Sequence, residues 1–148
     1  MNGGGVEVSS LHVRDLMTAE VKTAKANDPL LTVQDLMNEH NFRHVPVVDE
    51  EGLLVGLISE RDMLRRALTD EDGIPLTMRS ELLGVMKVSE VMTDEVQTVE
   101  ADDTATAAAE MLFENKYGCL PVVDEGYLIG ILTEADFVRH VAGVDVQS

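Results

Sequence analysis

The sequence is poor in aromatic residues and almost free of cysteine. Only 3% of its 148 residues are aromatic, with no Trp, so aliphatic side chains must fill the interior. The lone cysteine, Cys119, has no internal disulfide partner, which fits a reduced compartment. Long hydrophobic runs are missing as well. No apolar stretch, allowing one Gly, is longer than Leu53 to Ile58, whereas a membrane helix needs about 20 residues. Met1-Asn2-Gly3-Gly4-Gly5 offers neither the basic region nor the apolar region of a secretory signal. Positive charge is scarce: 11 Lys and Arg against 28 Asp and Glu leave a net charge of −17. That balance opposes binding to nucleic-acid phosphates and to anionic membranes. A soluble, cytoplasmic protein is the expectation. Apolar residues, at 45%, suffice for a real core, which excludes a disordered or fibrous chain. The length suits one ordinary domain or two very small ones.

What the sequence does contain is an internal duplication. A shift of 75 residues lays Val13-Arg14-Asp15-Leu16-Met17-Thr18 over Val88-Ser89-Glu90-Val91-Met92-Thr93. The same shift pairs Asp28 with Asp103, and Val45-Pro46-Val47-Val48-Asp49 with Leu120-Pro121-Val122-Val123-Asp124. One residue is then lost in a turn. At a shift of 74, Gly56-Leu57-Ile58-Ser59-Glu60-Arg61-Asp62 overlies Gly130-Ile131-Leu132-Thr133-Glu134-Ala135-Asp136.

Each copy reads as strand, helix, strand, strand, helix. A helical turn around Asp15-Leu16-Met17 precedes an extended piece, Glu20 to Thr23. Asp28-Pro29 predicts a helix start, with Asp as N-cap and Pro at the first helical position. Leu30, Val33, Leu36 and Met37 then fall on one apolar face. In the second copy the helix opens at Asp102-Asp103-Thr104 and is Ala-rich. Val45–Val48 and Leu53–Ile58, split by Asp49-Glu50-Glu51-Gly52, predict a hairpin. Pro46 and Pro121 should sit at a strand start or an edge. Second helices begin at Ser59 and Thr133. One copy of this size buries too little surface to be comfortably stable, whereas two packed about a pseudo-two-fold axis solve that problem. The expected division is a flexible 1–10, repeat one at 11–67, a linker at 68–87, repeat two at 88–142 and a tail at 143–148. Within the linker, Asp70 to Pro75 reads as an exposed turn and Leu76 to Met86 as a short helix.

Three features resemble the cystathionine-β-synthase (CBS) domain family in its tandem arrangement, the Bateman module. They are the opening hydrophobic-x-Asp/Glu-hydrophobic-Met-Thr, the Pro-Val-Val-Asp hairpin strand, and Gly-hydrophobic-hydrophobic-Ser/Thr-x-x-Asp. All occur in order in both copies, from about Leu11 to Ala142. The resemblance implies an α+β fold of two pseudo-symmetric β-α-β-β-α repeats packed as a CBS-domain pair. It also implies a regulatory module without chemistry of its own, with two sites for adenosine-containing ligands and a homodimeric assembly. The regulated partner would then be a separate chain.

Ser59-x-x-Asp62 and Thr133-x-x-Asp136 have an intrinsic reading as capping boxes. By resemblance, Asp62 and Asp136 hold ribose hydroxyls while Ser59 and Thr133 reach ribose or phosphate. The two readings are compatible. The family's adenine contacts fall on Thr23, Ala24, His44 and Val45 for one site. For the other they fall on Thr98, Val99, Cys119 and Leu120. Val45 and Leu120 also read as core.

The copies differ in charge. Copy one has Arg43, His44, Arg61, Arg65 and Arg66 where copy two has Gly118, Cys119, Ala135, Arg139 and His140. Leu11 to Arg66 holds 7 basic and 10 acidic residues; Met86 to Ser148 holds 3 and 13. Arg supplies permanent bidentate donors to phosphate, so the first site suits a phosphorylated ligand. The second is left three readings: empty, filled by a nucleoside-like ligand, or supplied with cations by the other copy. Arg65 and Arg66 equally read as a solvated helix face.

His12, His40, His44 and His140 form no metal-spaced cluster; His44 could meet a phosphate at lowered pH. Cys119 reads as a buried, inert thiol, with redox sensing as the alternative. No catalytic triad, Cys-His pair or Gly-rich phosphate loop motivates an enzyme. The expectation is a sensor of AMP, ADP or ATP, with S-adenosylmethionine or a dinucleotide as runners-up, no obligatory cofactor, and Mg²⁺ as an optional companion. Two alternatives stand beside it. One is a divalent-cation sensor built on Asp49-Glu50-Glu51, Asp70-Glu71-Asp72 and Asp102-Asp103. The other is a ligand-free dimerisation or scaffold domain for an unidentified protein partner.

Overall fold

The computed structural model describes residues 11–68, 83–115 and 118–143, with backbone only for 66–68. The expected N-terminal stretch 1–10, the Asp70–Pro75 turn, residues 76–82 of the expected linker helix, the Arg66 side chain and the tail beyond 143 lie outside the described residues.

In chain order the elements are α1 (Val13–Leu16), α2 (Leu30–His40), β1 (His44–Val48), β2 (Leu54–Ser59) and α3 (Glu60–Leu68). A 3₁₀ turn (Val88–Glu90) follows, then α4 (Ala105–Glu114), β3 (Cys119–Asp124), β4 (Tyr127–Thr133) and α5 (Glu134–Ala142). β1 pairs antiparallel with β2, and β3 with β4. Both expected hairpins are present. In the first, Asp49 Oδ1 accepts from the Glu51 and Leu53 amides and closes the turn. The second turn is shorter by one residue, with Glu125 and Gly126 both at positive φ (52° and 90°), as a two-residue hairpin turn demands.

The strand expected at Glu20–Thr23 shrinks to a single parallel bridge, Ala24 to Val47, matched by Val99 to Val122 in the second copy. Proline limits it. Ala24 N donates to Pro46 O and Val48 N to Ala24 O, but Pro46 has no N–H for the next bond toward Lys22. Pro121 acts alike beside Val99, whose amide donates to its carbonyl.

The expected Asp28 cap is corrected. Pro29 is the N-cap of α2 and offers no side-chain bond, while the Asp28 carboxylate accepts from Lys25 N and closes the preceding turn. A backbone carbonyl does the capping: Leu30 N donates to Met86 O at 2.9 Å. At α4, Thr104 caps through its hydroxyl to Ala107 N, and Ala105 N donates to Leu11 O.

Those carbonyls arrive from the residues just ahead of the other repeat's opening motif. The compact units are Lys22–Val96 on one hand and Met1–Val21 with Gln97–Ser148 on the other. Each hairpin and its two helices are therefore completed by the opening motif of the other repeat. Thr18 and Ile131 exchange both backbone hydrogen bonds at 2.9 Å, as do Thr93 and Leu57. The core of the Lys22–Val96 unit holds Leu30, Val33, Val45, Val47 and Ile58 with Met86 and Val88. The other core holds Ala105, Ala108, Leu120, Val122 and Leu132 with Val13 and Leu16.

The repeated glycine is the seat for this exchange. A Cβ on Gly56 would lie 2.5 Å from Met92 Sδ and 3.0 Å from Thr93 O. On Gly130 it would lie 2.8 Å from Met17 Sδ and 3.0 Å from Thr18 O. Only a residue without a side chain admits the segment. Gly56→Ala and Gly130→Ala should each destabilise the chain by about 1–3 kcal/mol, the usual cost of overpacking. Paired with Met92→Ala and Met17→Ala respectively, each should show a coupling above about 0.5 kcal/mol in denaturant melts. Additive costs would refute a sulfur–glycine seat.

Candidate functional site

In each unit the start of the first hairpin strand lies beside the end of the second, because the register makes them partners. His44 pairs with Ser59, and Cys119 with Thr133. The following helix begins at that corner, so a carboxylate three residues on is brought back to it. Ser59 Oγ accepts from Asp62 N at 3.0 Å, and Asp62 Oδ2 accepts from Ser59 N at 3.1 Å. The capping box is therefore present. Glu60 N donates to Arg43 O at 2.8 Å, which fixes the backbone just ahead of β1. Ala24, bridged to Val47, brings Thr23 to the other edge of the same strand.

The side chains at this first corner differ in exposure. Ser59 is buried, Asp62 and His44 are half-buried, and Thr23, Arg43 and Arg61 are exposed. Neither Arg43 nor Arg61 has a carboxylate partner among the described residues. Arg65 is exposed on α3. Val45 is fully buried in the core, and its backbone is paired with Ile58 of β2, so this candidate does not reach the surface of the corner.

The second corner has the same frame and different contents. Thr133 N donates to Asp136 Oδ2 at 2.8 Å and Thr133 Oγ1 to the same oxygen at 3.3 Å. The other oxygen, Oδ1, accepts from Arg139 Nη2 at 2.9 Å. Asp136 is only 1% exposed, and a buried carboxylate needs such partners. Gly118, at φ +67°, stands where the first copy has Arg43, and a Cβ there would lie 3.4 Å from Glu134 Oε1. Leu120 is core and Thr98 is half-buried. Val99 bridges Val122, while Ala135 is exposed and His140 half-buried.

Sequence reasoning placed Arg139 near this corner but missed its pairing. The signal was available, since Asp136 and Arg139 stand three apart on one helix face. The glycine seat and the cross-repeat role of Met17-Thr18 and Met92-Thr93 were likewise missed.

Among the described residues, no group of three or more His, Cys, Asp or Glu is placed to hold a metal ion. The Asp70-Glu71-Asp72 candidate lies outside those residues. No helix among the described residues is long and apolar enough to cross a membrane.

With this geometry in place, the comparisons are specific. A family model described as CBS domain matches residues 13–69 and 88–143. CBS domain-containing protein YhcV of Bacillus subtilis is 31% identical, over 84% of this chain and 81% of its own. The CBS-pair protein CBSX2 of Arabidopsis thaliana superposes with TM-score 0.79 at 30% identity, over 93% of this chain and 99% of its own. CBSX2 has also been solved in complex with AMP, with TM-score 0.75 at 29% identity over 90% and 98% of the two chains. The CBS domain pair of MJ0100, solved with 5'-methylthioadenosine and S-adenosyl-L-methionine, gives 0.74 at 28% identity over 89% and 96%.

Burial, and then the nearby Asp136 charge, push the Cys119 thiol from its ordinary 9.0 up to about 12. The reactive thiolate is therefore suppressed. Iodoacetamide at about pH 8 should leave Cys119 untouched in the native chain and alkylate it once urea unfolds the chain. The folded state keeps a proton that the unfolded state releases. Its stabilising share is thus full below about pH 9 and is lost as pH rises toward about 12. In that window stability should fall with a slope of up to about 1.4 kcal/mol per pH unit more than in Cys119→Ala. Equal slopes would contradict the burial argument.

Proposed function

The chain belongs to the CBS domain family, and from that premise we propose that it is a regulatory ligand-binding module rather than an enzyme. Its ligand is an adenosine-containing molecule, with AMP, ADP or ATP favoured over S-adenosylmethionine. The module works as a homodimer, and a separate protein reads its state.

One observation carries this reading. The Lys22–Val96 unit gathers a hydroxyl, a half-buried carboxylate and two uncommitted guanidinium groups at the start of α3, on a fold whose solved relative CBSX2 holds AMP. Each group matches a part of a nucleotide. Asp62 offers acceptor oxygens to the vicinal ribose hydroxyls, because capping Ser59 N does not use up its lone pairs. Arg43 and Arg61 supply charge-assisted donors to phosphate, helped by the N-terminal end of α3. The exposed Thr23 and the half-buried His44 at the same edge face the base. Ligand then shifts the chain's conformational equilibrium by its difference in affinity for the two states, and by no more than that.

A thermal-shift panel of AMP, ADP, ATP, S-adenosylmethionine, NADH and Mg²⁺ tests the proposal. At about 100 times Kd, a bound ligand stabilises by about 2.7 kcal/mol, which for a chain of this size raises Tm by roughly 5–10 °C. AMP or ATP should give that shift, and Asp62→Ala should melt cooperatively without it. A response to Mg²⁺ only, or to none of the compounds, would overturn the nucleotide reading.

A further inference from the structure

We infer that the corner at Thr133–Asp136 is closed by the chain's own Arg139, so that each chain takes up one adenosine ligand, at the Ser59–Asp62 corner. This rests on the reading of the chain as an adenosine-binding module and goes on to fix where, and how many times, it binds. Three observations combine. Asp136 is 1% exposed. Both of its oxygens are engaged, Oδ2 by the amide and hydroxyl of Thr133 and Oδ1 by Arg139 Nη2. The residues surrounding it offer an anion less than those of the first corner: Gly118 and Ala135 replace Arg43 and Arg61, while Glu134, which stands over Gly118, has its counterpart in Glu60.

To seat a ribose at Asp136, two neutral hydroxyls would have to displace a guanidinium. Both kinds of bond reach an ionised acceptor, but only the guanidinium also neutralises a buried negative charge, and Arg139 is tethered one helical turn away, so it competes at high effective concentration. A phosphate attached to that ribose would then meet Glu134 with no arginine at 118 or 135 to offset it. Arg139 thus acts as an internal stand-in for ligand. At the first corner Asp62 is half-buried, and Arg43 and Arg61 are exposed and lack carboxylate partners among the described residues. The duplicated frame is retained while one of its two copies is given over to structure.

The full-length chain is titrated with AMP and, separately, with uncharged adenosine in a calorimeter, and the AMP-loaded protein is followed by amide hydrogen exchange. The expected result is one AMP per chain, with slowed exchange at residues 59–62 and none at 133–136. Arg139→Met, which leaves no donor for Asp136, should admit a second adenosine that the parent chain refuses. Two AMP per chain, or protection at 133–136, overturns the inference and leaves the nucleotide reading intact. An Arg139→Met protein that melts cooperatively and still takes a single adenosine overturns the latch. If Arg139→Met does not fold, the stoichiometry and exchange pattern of the parent chain decide the matter. No heat and no protection with either compound overturns the nucleotide reading itself.

Discussion

The structure depends on a short piece of backbone laid against a glycine. Met17-Thr18 and Met92-Thr93 each run antiparallel to the hairpin of the other repeat and exchange two hydrogen bonds with Ile131 and Leu57. A few residues away, the same segments give carbonyls to the first amides of α2 and α4. Each opening motif therefore fills two needs at once. It pairs the outer edge of a two-stranded hairpin, and it satisfies helix-start donors that would otherwise be orphaned. A two-stranded hairpin is marginal without such support, and the corner carrying Ser59 or Thr133 stands at its end. The geometry of the candidate site is thus inherited from a contact between residues far apart in the chain, Leu57 with Thr93 at the first corner and Thr18 with Ile131 at the second.

Much of this architecture was legible in the sequence. The period was written in Pro46 and Pro121, Gly56 and Gly130, Asp62 and Asp136, and the hairpins and amphipathic helices followed from it. The burial of Leu30, Val33 and Met37 matches the expected face of α2. The exchange was not legible, for a physical reason. Met17-Thr18 and Met92-Thr93 are nearly the same peptide, and Gly56 and Gly130 are nearly the same seat. Local chemistry cannot say which segment joins which glycine; chain connectivity and the packing of Val13, Leu16 and Val88 into their cores decide it. The α2 cap was misassigned for a related reason. Asp before Pro is a good N-cap signal, but a carbonyl from a distant segment takes Leu30 N, and Asp28 closes the turn behind it.

At the candidate site the sequence identified residue types and not their commitments. The Ser59 and Thr133 boxes look alike in one dimension. In three, one carboxylate is half-buried and the other is sealed. Cys119 at the position of His44, and Gly118 at the position of Arg43, take polar and charged bulk away from the second corner and let its carboxylate sink. A thiol packed beside that carboxylate is itself held in its protonated form, so both groups belong to an interior and not to a surface that meets solvent.

A capping box and a ribose site make different demands on one carboxylate. Capping requires a single oxygen, fixed within hydrogen-bond reach of the residue three positions back. A diol requires the remaining lone pairs to face a space that a ligand can enter. A half-buried carboxylate can meet both, because solvent holds the unused acceptors until a ligand takes them. Once burial is complete solvent can no longer do this, and an unpaired charge becomes costly. The chain must then supply its own cation, as Arg139 does for Asp136. Burial depth, more than the identity of the motif, therefore separates a carboxylate that only holds a helix in place from one that is also free to recognise something else.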